Sequence, residues 1–591
     1  MDVGCQMLGI GKLRGCWMLE PLASNIQRPA SIDDTGSASV VKKRFGLFTP
    51  LSLTDREGER LRVLFLFLFA FLLRLLFLNE IASHPLFDVN LASGTDMKGY
   101  IDWASRIAAG DWLGRKEGAF WQGPLFPYFL ALLFTLFGKD LFLAALVQML
   151  LGAFTCVLIY YLGKALFSER VGFLAALMAS CYSLLIFFGA VLHSTTLEVF
   201  MAAAMLLHLT YSFQHPRPLS WFLSGALMGL ACLVRPNLLL FPPFLLPALW
   251  LRSKAERGFR PRQAALMLIL GMTLTIAPVT LRNYLFGGRF VLVSAAGPET
   301  FRIANSFDSV PLNFVYPKLP QMPILSRPFF RHQLRKAVLF WWGYEAPQNV
   351  NYYLFREFSQ ILKLPLLPFW LVAPLGLLGL ALSLSRWKRF VHLYAFVVSY
   401  YLSIVIFFII ARFRLPLMPA LILFAAFAFF TIYEALLQRK KAAIGYAMAA
   451  IIMALTMRRY KATYIYPNDY GMLGYILANR GEHGRAIGYL TRAAEGLPSY
   501  PGLNHDLGVL LMLEGRYEEA VLRFERELAL NPRNASAHRA LGILYLNHRK
   551  DPRRALGHLR RFLELEPEGA RADQIRRSVE ALERSIEGNF P

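Results

Sequence analysis

The sequence predicts an all-α protein, in which a polytopic helical membrane part of about eleven spans is followed by an α-solenoid. Three observations predict this fold class. Of the 591 residues, 56% are hydrophobic and 17% are charged, a balance too apolar for a soluble globular protein. The apolar residues gather in runs close to the roughly 20 residues that a helix needs to cross a bilayer. After about residue 465 these runs give way to a pattern that repeats every 34 residues.

The first 60 residues are unlike the rest of the chain. They have a mixed composition with Gly and Ser, no clear periodicity, and none of the three regions of a signal peptide. We therefore expect residues 1–60 to be a disordered cytoplasmic tail. A membrane domain is expected at 61–460, with outer loops at 81–140 and 285–364, and a repeat domain at 468–588.

The charge of the loops predicts the topology. Candidate spans lie at about 62–80, 141–163, 171–190, 197–213, 219–234, 238–251, 263–284, 365–384, 391–411, 415–436 and 442–457. If the short, proline-led segment 124–138 lies along the interface, the loops "GKALFSER", "QHPRP", "RSKAERGFRPR", "SRWKRF" and "QRKK" share one side, which the positive-inside rule makes cytoplasmic. If 124–138 crosses instead, the repeat domain changes sides. The basic residues Arg458, Arg459 and Lys461 run against the eleven-span topology.

The C-terminal part repeats itself three times, at 470–503, 504–537 and 538–572. The pair Leu473–Gly474 recurs at each step, as do an alanine and a later proline, with one residue inserted in the third copy. Small residues let two antiparallel helices approach closely, and proline ends the second helix. The pattern resembles tetratricopeptide repeats, which bind peptides or protein surfaces in a concave groove. A plain spacer or a domain that stabilises the membrane part remains the alternative.

The net charge of +24 belongs almost entirely to the membrane part, because the first 62 and the last 127 residues are nearly neutral. A nucleic-acid partner is not expected, since no soluble segment carries a basic patch interleaved with aromatic residues. The cysteines, Cys5, Cys16, Cys156, Cys181 and Cys232, avoid the long loops and the repeats. Their placement indicates neither a disulfide framework nor a zinc cluster.

An acidic segment, "SGTDMKGYIDWASRIAAGDW" (93–112), follows the first predicted span. On a helix, Asp96, Tyr100 and Trp103 would share one face. A carboxylate beside aromatic rings could accept a hydroxyl proton while the rings stack against a sugar. An acidic loop that merely favours solubility would show the same spacing.

Four arginines lie where apolar runs meet the predicted outer face: Arg235, Arg282, Arg412 and Arg414. A charge near membrane depth is costly and usually has a partner or a function. The planar guanidinium group binds phosphate oxygens in pairs, which suits an anionic head group. Snorkelling toward ordinary phospholipid is the alternative for any single one of them.

Glu198 begins a predicted span on the same side. It could line the same cavity and bind substrate there, as a second acid or as a metal ligand, or only complement the dipole of its helix. His84 and His193 have no ligand set spaced around them, so no metal site is predicted. No cofactor is singled out, and a divalent cation is left open.

The succession of motifs resembles the GT-C glycosyltransferases of the protein O-mannosyltransferase and aminoarabinose-transferase type (family 39-like). The motifs are "DMKGY", "GPLFPYFLALLFTLFG", "LIYYLGKALFSERVGFLAALMA", "APVTLRNYLFGGRFVLVS" leading to "ANSF", and "ARFRLP". The resemblance covers about residues 60–460. It implies a GT-C-like membrane fold, a sugar donor on polyprenyl phosphate, and use of that donor at the extracytoplasmic face.

The resemblance also assigns roles to residues. Asp96 would be the general base. Family members often carry a second acid beside it, but here Met97 and Lys98 follow, so Asp88 or Asp102 would have to serve. By analogy Arg282 with Asn283, and Arg412 with Arg414, would flank the lipid phosphate or line the acceptor side. Asn305 matches the family's Asn after the "RNY" block, without a clear role.

These residues suit one reaction. An acceptor hydroxyl that attacks the anomeric carbon needs a base, and the departing phosphate needs positive charge. One base and no covalent intermediate predict inversion.

The expected location is the inner membrane of a bacterium, with the site and the repeats outside and a protein or peptide in the repeat groove. A lipid-linked glycan transporter, a membrane-anchored repeat scaffold, and an O-antigen ligase or polymerase are the rivals. Neither the sugar nor the acceptor is predicted.

Overall fold

The computed structural model describes residues 55–92, 94–253, 259–312, 316–458, 466–500 and 502–587. Within these ranges the chain forms α-helices and short 3-10 helices and no strand. The predicted all-α class is therefore confirmed for the described residues. The predicted tail, residues 1–60, falls outside them except for 55–60, which lie in the first helix.

The first half of the membrane part contains both long and short helices. They are α1 (Asp55–Ala82), α2 (Asp96–Ala108), α3 (Leu125–Phe137), α4 (Leu141–Leu166), α5 (Glu169–Ser180), α6 (Ser183–Ala190), α7 (Thr195–Gln214), α8 (Pro218–Val234), α9 (Phe241–Ser253) and α10 (Pro261–Gly287). Its second half comprises α11 (Ala296–Ala304), α12 (Arg327–Phe340), α13 (Tyr352–Phe358), α14 (Gln360–Lys363), α15 (Phe369–Ser383), α16 (Trp387–Val405), α17 (Ala411–Arg414), α18 (Met418–Leu437) and α19 (Lys441–Arg458).

Seven helical stretches among the described residues are long and apolar enough to cross a membrane. One of them, Phe369–Val405, contains both α15 and α16. Helical residues occupy all eleven predicted spans, and the predicted span 171–190 is divided between α5 and α6. Helix α3 has only 13 residues, or about 20 Å at ~1.5 Å per residue, which is shorter than the ~30 Å hydrocarbon core. Helix α9, in the predicted span 238–251, also has 13 residues, so helix length does not test the prediction that 124–138 does not cross.

The helix ends that carry the predicted cytoplasmic loops lie together. At the ends of α4 and α7, the Gln214 amide donates to the Ala165 carbonyl oxygen at 3.1 Å. Where α9 ends and α16 begins, the Arg252 guanidinium donates to the Lys388 carbonyl oxygen, also at 3.1 Å. We call this the basic end of the bundle.

Glycine sets the closest helix contacts in the bundle. A Cβ atom at Gly225 of α8 would collide with the backbone oxygen of Leu268 in α10, and one at Gly379 of α15 with that of Phe424 in α18. Backbones approach this closely only where side chains are absent, as is common between transmembrane helices. These contacts bring α8 close to α10 and α15 close to α18.

The repeat array consists of three helix pairs and a final helix. Its helices are α20 (Pro467–Asn479), α21 (His483–Gly496), α22 (Leu503–Leu513), α23 (Tyr517–Leu530), α24 (Ala535–Asn547), α25 (Pro552–Leu565) and α26 (Ala570–Glu587). In each pair the repeated glycine of the first helix lies against a large side chain of the second, namely Leu490, Phe524 or Leu559. The recurring small residue therefore has the packing role that the sequence predicted.

The first repeat rests on the loop 81–140 of the membrane part, which is predicted to lie on the outer side. Helix α20 packs on the 3-10 helix Pro85–Leu91. Arg480, just after α20, forms an ion pair with Asp88 at 2.5 Å. A cavity of about 440 Å³ lies between this repeat and Ala92. The partner predicted for the repeat groove stays a prediction.

Candidate active site

Asp96 is the first residue of α2, at the centre of a cluster of polar side chains. Thr95 caps the helix, accepting a hydrogen bond from the Lys98 amide at 3.3 Å, and the helix N-terminus favours a carboxylate. Asp96 Oδ2 accepts from Arg412 Nη2 at 2.8 Å and from Asn349 Nδ2 at 2.6 Å. Its other oxygen, Oδ1, accepts from Gln122 Nε2 at 3.1 Å. The cluster thus draws on four separate regions of the chain.

Arg412 lies almost wholly inside the protein, with 7% of its side chain exposed, against 23% for Asp96. Gln348 Oε1 accepts from Arg412 Nη2 at 2.8 Å and from Nε at 3.2 Å. The remaining terminal nitrogen, Nη1, contacts His193 Nε2. Three neutral or acidic partners therefore fix the plane of this guanidinium group.

His193 completes the cluster behind Arg412. Its Nε2 is 3.7 Å from Asp96 Oδ2, and its Nδ1 is 2.8 Å from Thr195 Oγ1. Burial and the neighbouring Arg412 charge lower the pKa of His193 to about 4, although Asp96 opposes the shift. His193 is therefore neutral near pH 7, and Arg412 is the positive charge beside Asp96.

The pKa of Asp96 reflects two opposed influences. Burial raises the pKa, but the Arg412 charge, the nearby His193 ring and the hydrogen bond from Asn349 together outweigh burial and hold the pKa well below its usual range. Asp96 is consequently ionised at neutral pH. While Arg412 stays in contact, this carboxylate is a weak base.

A second ion pair lies deeper, on the far side of His193. Glu198 Oε1 accepts from Ser194 Oγ at 2.7 Å and is 3.8 Å from Arg235 Nη1. The Arg235 guanidinium stacks over the Phe413 ring at 4.0 Å, and Arg412 approaches the same ring at 4.9 Å. The structure thus brings two residues that were predicted separately, Glu198 and Arg235, together and next to the Asp96–Arg412 pair.

The other predicted residues of α2 divide between its faces. Tyr100 is buried, with its ring 5.5 Å edge-on from His193. Trp103 is also buried and packs on Phe120 at 4.9 Å. Asp102 instead pairs with Lys98 on an exposed face. It faces away from Asp96 because a step of six residues turns the helix through roughly 600°, or about 240° beyond one full turn. Asp102, predicted as the second acid, therefore lies away from the cluster.

Arg282 and Asn283, expected to flank the lipid phosphate or to line the acceptor side, do not join the cluster. The Arg282 guanidinium donates to the carbonyl oxygens of Leu113, Gly114 and Gly118 and stacks over Phe120 at 3.7 Å. The side-chain oxygen of Asn283 accepts from the Phe120 amide at 3.0 Å. Both side chains are used to hold the loop between α2 and α3.

Arg414 also departs from its predicted phosphate-binding role. Only 2% of its side chain is exposed, and it forms a buried ion pair with Glu345. Its two terminal nitrogens also donate to carbonyl oxygens of Phe340, Trp342 and Tyr344. Segment 340–345 supplies these hydrogen-bond partners, and the Phe369 ring lies 4.1 Å from the guanidinium, so Arg414 holds that segment in place.

Four residues of the cluster were missed by the sequence analysis, namely Gln122, Gln348, Asn349 and His193, which was considered only as a metal ligand. The first three are neutral amides whose partners lie 26 to 253 positions away. Neither their type nor their spacing distinguishes them in the sequence. His193 had one signal, since it precedes a polar run, "HSTTLE", at the predicted outer start of a span.

Two cavities adjoin the buried side of the cluster. A small one is lined by Gln348 and Arg412 together with Glu345 and Tyr352. Glu345 and Tyr352 also line a larger cavity of about 970 Å³. Besides apolar and tyrosine side chains, this larger cavity is lined by three cationic side chains, Arg356, Lys363 and Arg458, and by two acidic ones, Glu345 and Glu357.

Comparison with known proteins bears on part of the chain. Residues 121–281 match the family described as dolichyl-phosphate-mannose-protein mannosyltransferase. This range contains Gln122, His193, Glu198 and Arg235 but neither Asp96 nor Arg412. Residues 503–536 match a tetratricopeptide repeat family. No curated protein matches in sequence.

Among solved structures, the chain is similar to ArnT from Cupriavidus metallidurans, crystallised with undecaprenyl phosphate. The identity is 14%, the match covers 82% of this chain and 81% of that one, and the TM-score is 0.41. The predicted resemblance to membrane mannosyltransferases is thus confirmed over residues 121–281, and the predicted tetratricopeptide repeat over 503–536.

Proposed function

We propose that this protein is a membrane glycosyltransferase that transfers a sugar from a polyprenyl-phosphate donor to an acceptor hydroxyl, with inversion at the anomeric carbon. The observation that carries the proposal is the 2.8 Å pairing of Asp96 with Arg412. One site thereby offers a carboxylate for a proton and a guanidinium for a phosphate. The family match over 121–281 supports the reaction class.

In the proposed reaction, Asp96 takes the proton of the acceptor hydroxyl as its oxygen forms a bond to the anomeric carbon. The bond between that carbon and the phosphate oxygen breaks, and its electron pair leaves with the lipid phosphate. Arg412 stabilises the charge that develops on this leaving group, and a fixed cation of this kind contributes most where charge appears. A positioned base contributes roughly 10²–10⁴-fold.

Because Asp96 and Arg412 are in contact before the donor binds, donor binding also changes the basicity of Asp96. A bound phosphate competes with Asp96 for the guanidinium of Arg412, for which it has matching geometry. As Arg412 turns toward the phosphate, the main influence that lowers the pKa of Asp96 weakens. Asp96 then becomes a stronger base while the donor is present.

The proposed orientation puts this chemistry at the extracytoplasmic face of a bacterial inner membrane. Asp96 follows the first span, whereas the loops rich in Lys and Arg gather at the basic end, which the positive-inside rule assigns to the cytoplasm. In this arrangement residues 61–460 form the catalytic domain, and the repeat domain, 468–588, lies on the same side as the site.

A transfer assay tests the proposal. Purified protein in liposomes would receive polyprenyl-phosphate donors that carry radiolabelled hexose, pentose or aminopentose, with an alcohol acceptor. We expect transfer by the native protein and a loss of at least 100-fold in Asp96→Asn. The control Asp102→Asn should retain activity, because Asp102 pairs only with Lys98 on an exposed face. Full activity in Asp96→Asn, or no transfer from any donor, would contradict the proposal.

A further inference from the structure

One segment of the second outer loop touches both the candidate active site and the repeat array. This segment, residues 344–351 ("YEAPQNVN"), is called the strap here. On the membrane side, Gln348 accepts two hydrogen bonds from Arg412, and Asn349 donates to Asp96 at 2.6 Å. The strap therefore supplies a direct neighbour to each member of the proposed catalytic pair.

Two residues further along, the strap binds the first repeat. Asn351 Nδ2 donates to Asp469 Oδ2 at 2.6 Å. Asp469 also accepts from the Tyr466 amide at 2.7 Å, which caps the start of α20. At the other end of the strap, the hydroxyl groups of Tyr344 and Tyr466 are 2.8 Å apart. Both ends of the strap thus rest on the first turn of the repeat array.

The strap has little freedom between these contacts. Asn349 has φ of 63°, in the left-handed region that asparagine tolerates better than most residues. Asn351 is fully buried, and its side-chain oxygen accepts from the Tyr353 amide at 2.9 Å to cap α13. Arg414 Nη2 donates to the Tyr344 carbonyl oxygen at 3.0 Å. A shift at Asn351 would therefore be transmitted to Asn349.

We propose that the first repeat is part of the catalytic unit, and that Asp469 and Asn351 are positioning residues that hold Asn349 and Gln348 against Asp96 and Arg412. The repeat array is then more than an attached binding module, because its first helix shapes the site. For its kinetic consequences this inference rests on the proposed function. Its structural content does not depend on that function.

An amide–carboxylate exchange tests the contact. In Asn351→Asp, two carboxylates would face each other at the separation that a hydrogen bond spans in the native protein. Like charges this close repel. In the double variant Asn351→Asp/Asp469→Asn, the donor and the acceptor change places while both helix caps keep a side-chain oxygen. The control is Asn468→Asp, which adds the same charge at the exposed neighbouring position.

Two measurements separate this inference from the proposed function. The first is hydrogen–deuterium exchange of peptides covering 344–351 in the full chain. We expect faster exchange in Asn351→Asp, native exchange in the double variant, and native exchange in Asn468→Asp. This measurement requires no knowledge of the sugar or the acceptor.

The second measurement is kcat/KM for sugar transfer at pH 8. We expect about a tenfold loss in Asn351→Asp, because small displacements of reacting groups are costly, and recovery to within about threefold in the double variant. Native exchange in Asn351→Asp would overturn the inference. So would faster exchange with unchanged kcat/KM. If no variant and no native protein transfers sugar, the proposed function fails, and the exchange data alone decide whether the repeat holds the strap.

Discussion

Replacing Arg412 by alanine would remove the only positive charge in direct contact with Asp96 among the described residues. The change deletes the hydrogen bonds to Asp96 and Gln348 and the contact with His193. The Asp96 carboxylate would keep its amide partners, Asn349 and Gln122. The variant therefore separates the role of the charge from the role of the hydrogen bonds around it.

The structure sets the expected size of the effect. Losing one preorganised group that stabilises a developing anion costs about 10²–10³-fold in rate, or about 3–4 kcal/mol. Breaking a fully buried ion pair costs about 3–5 kcal/mol of stability. Because 23% of the Asp96 side chain is exposed and two amides remain, we expect about 1–3 kcal/mol here. The variant should fold but transfer sugar at least 100-fold more slowly.

Arg412→Ala should also change the pH dependence. The depressed pKa of Asp96 stabilises the native protein above the carboxyl's ordinary range, and that stability is lost as the pH falls toward the folded-state pKa. Without Arg412, fewer interactions oppose the effect of burial, which raises the pKa of Asp96, so this pKa rises. The acidic limb of activity should then move to higher pH.

The assay is transfer from a saturating polyprenyl-phosphate donor between pH 4 and pH 9, with thermal unfolding measured in the same detergent. Arg412→Lys is the control, because it keeps the charge but loses the fork of donors that bridges Asp96 and Gln348. We expect it to lie between the native protein and Arg412→Ala. An Arg412→Ala variant within threefold of native activity, with the native pH profile, would show that Arg412 neither stabilises the leaving phosphate nor lowers the pKa of Asp96.

Three further predictions concern residues outside the proposed catalytic pair. Arg414→Ala should lower the free energy of unfolding by about 3–5 kcal/mol, because the buried Glu345 carboxylate loses its cationic partner. Thermal unfolding of this variant and of Glu345→Gln checks the prediction. Gly379→Ala should lower the yield of folded protein on size-exclusion chromatography, since its Cβ would collide with the α18 backbone, whereas Gly445→Ala has open space and should behave as native. Asp102→Asn should leave the melting temperature nearly unchanged, because exposed ion pairs contribute about 0–1 kcal/mol.

Helices and repeats were the most predictable features of this chain. Apolar runs near the thickness of the bilayer and a 34-residue period are properties of neighbouring residues, so the sequence contains them directly. The glycine of each repeat lies against the large side chain expected of a close helix contact. The division of 171–190 into two helices was not predicted, because its hydropathy continues across the break at Cys181 and Tyr182.

The candidate site was predictable only in part. Asp96 and Arg412 were named as acting together, and the structure brings them within 2.8 Å across 316 positions of sequence. Arg414 was grouped with Arg412, yet two residues turn a helix through roughly 200°, so the two side chains leave α17 on opposite sides. Sequence spacing could not show which of the two faces Asp96.

The amides of the cluster could not have been found from the sequence. Asn349 and Gln348 have no charge, follow no motif, and reach the site only because the strap is held from both ends. Arg282 is the opposite case, because its charge at the predicted outer edge led us to expect a ligand-binding role. Its donors are taken up by backbone oxygens of the preceding loop, contacts that depend on the tertiary fold.

The most direct test of the account is a single-turnover measurement on Asp96→Asn with prebound, sugar-labelled polyprenyl phosphate. The substitution keeps the shape of the side chain and an oxygen that can accept from Arg412, but it removes the base. We expect the variant to bind the donor about as tightly as the native protein, while the sugar stays on the lipid after acceptor is added. Transfer at the native rate from that bound donor would contradict the role of Asp96.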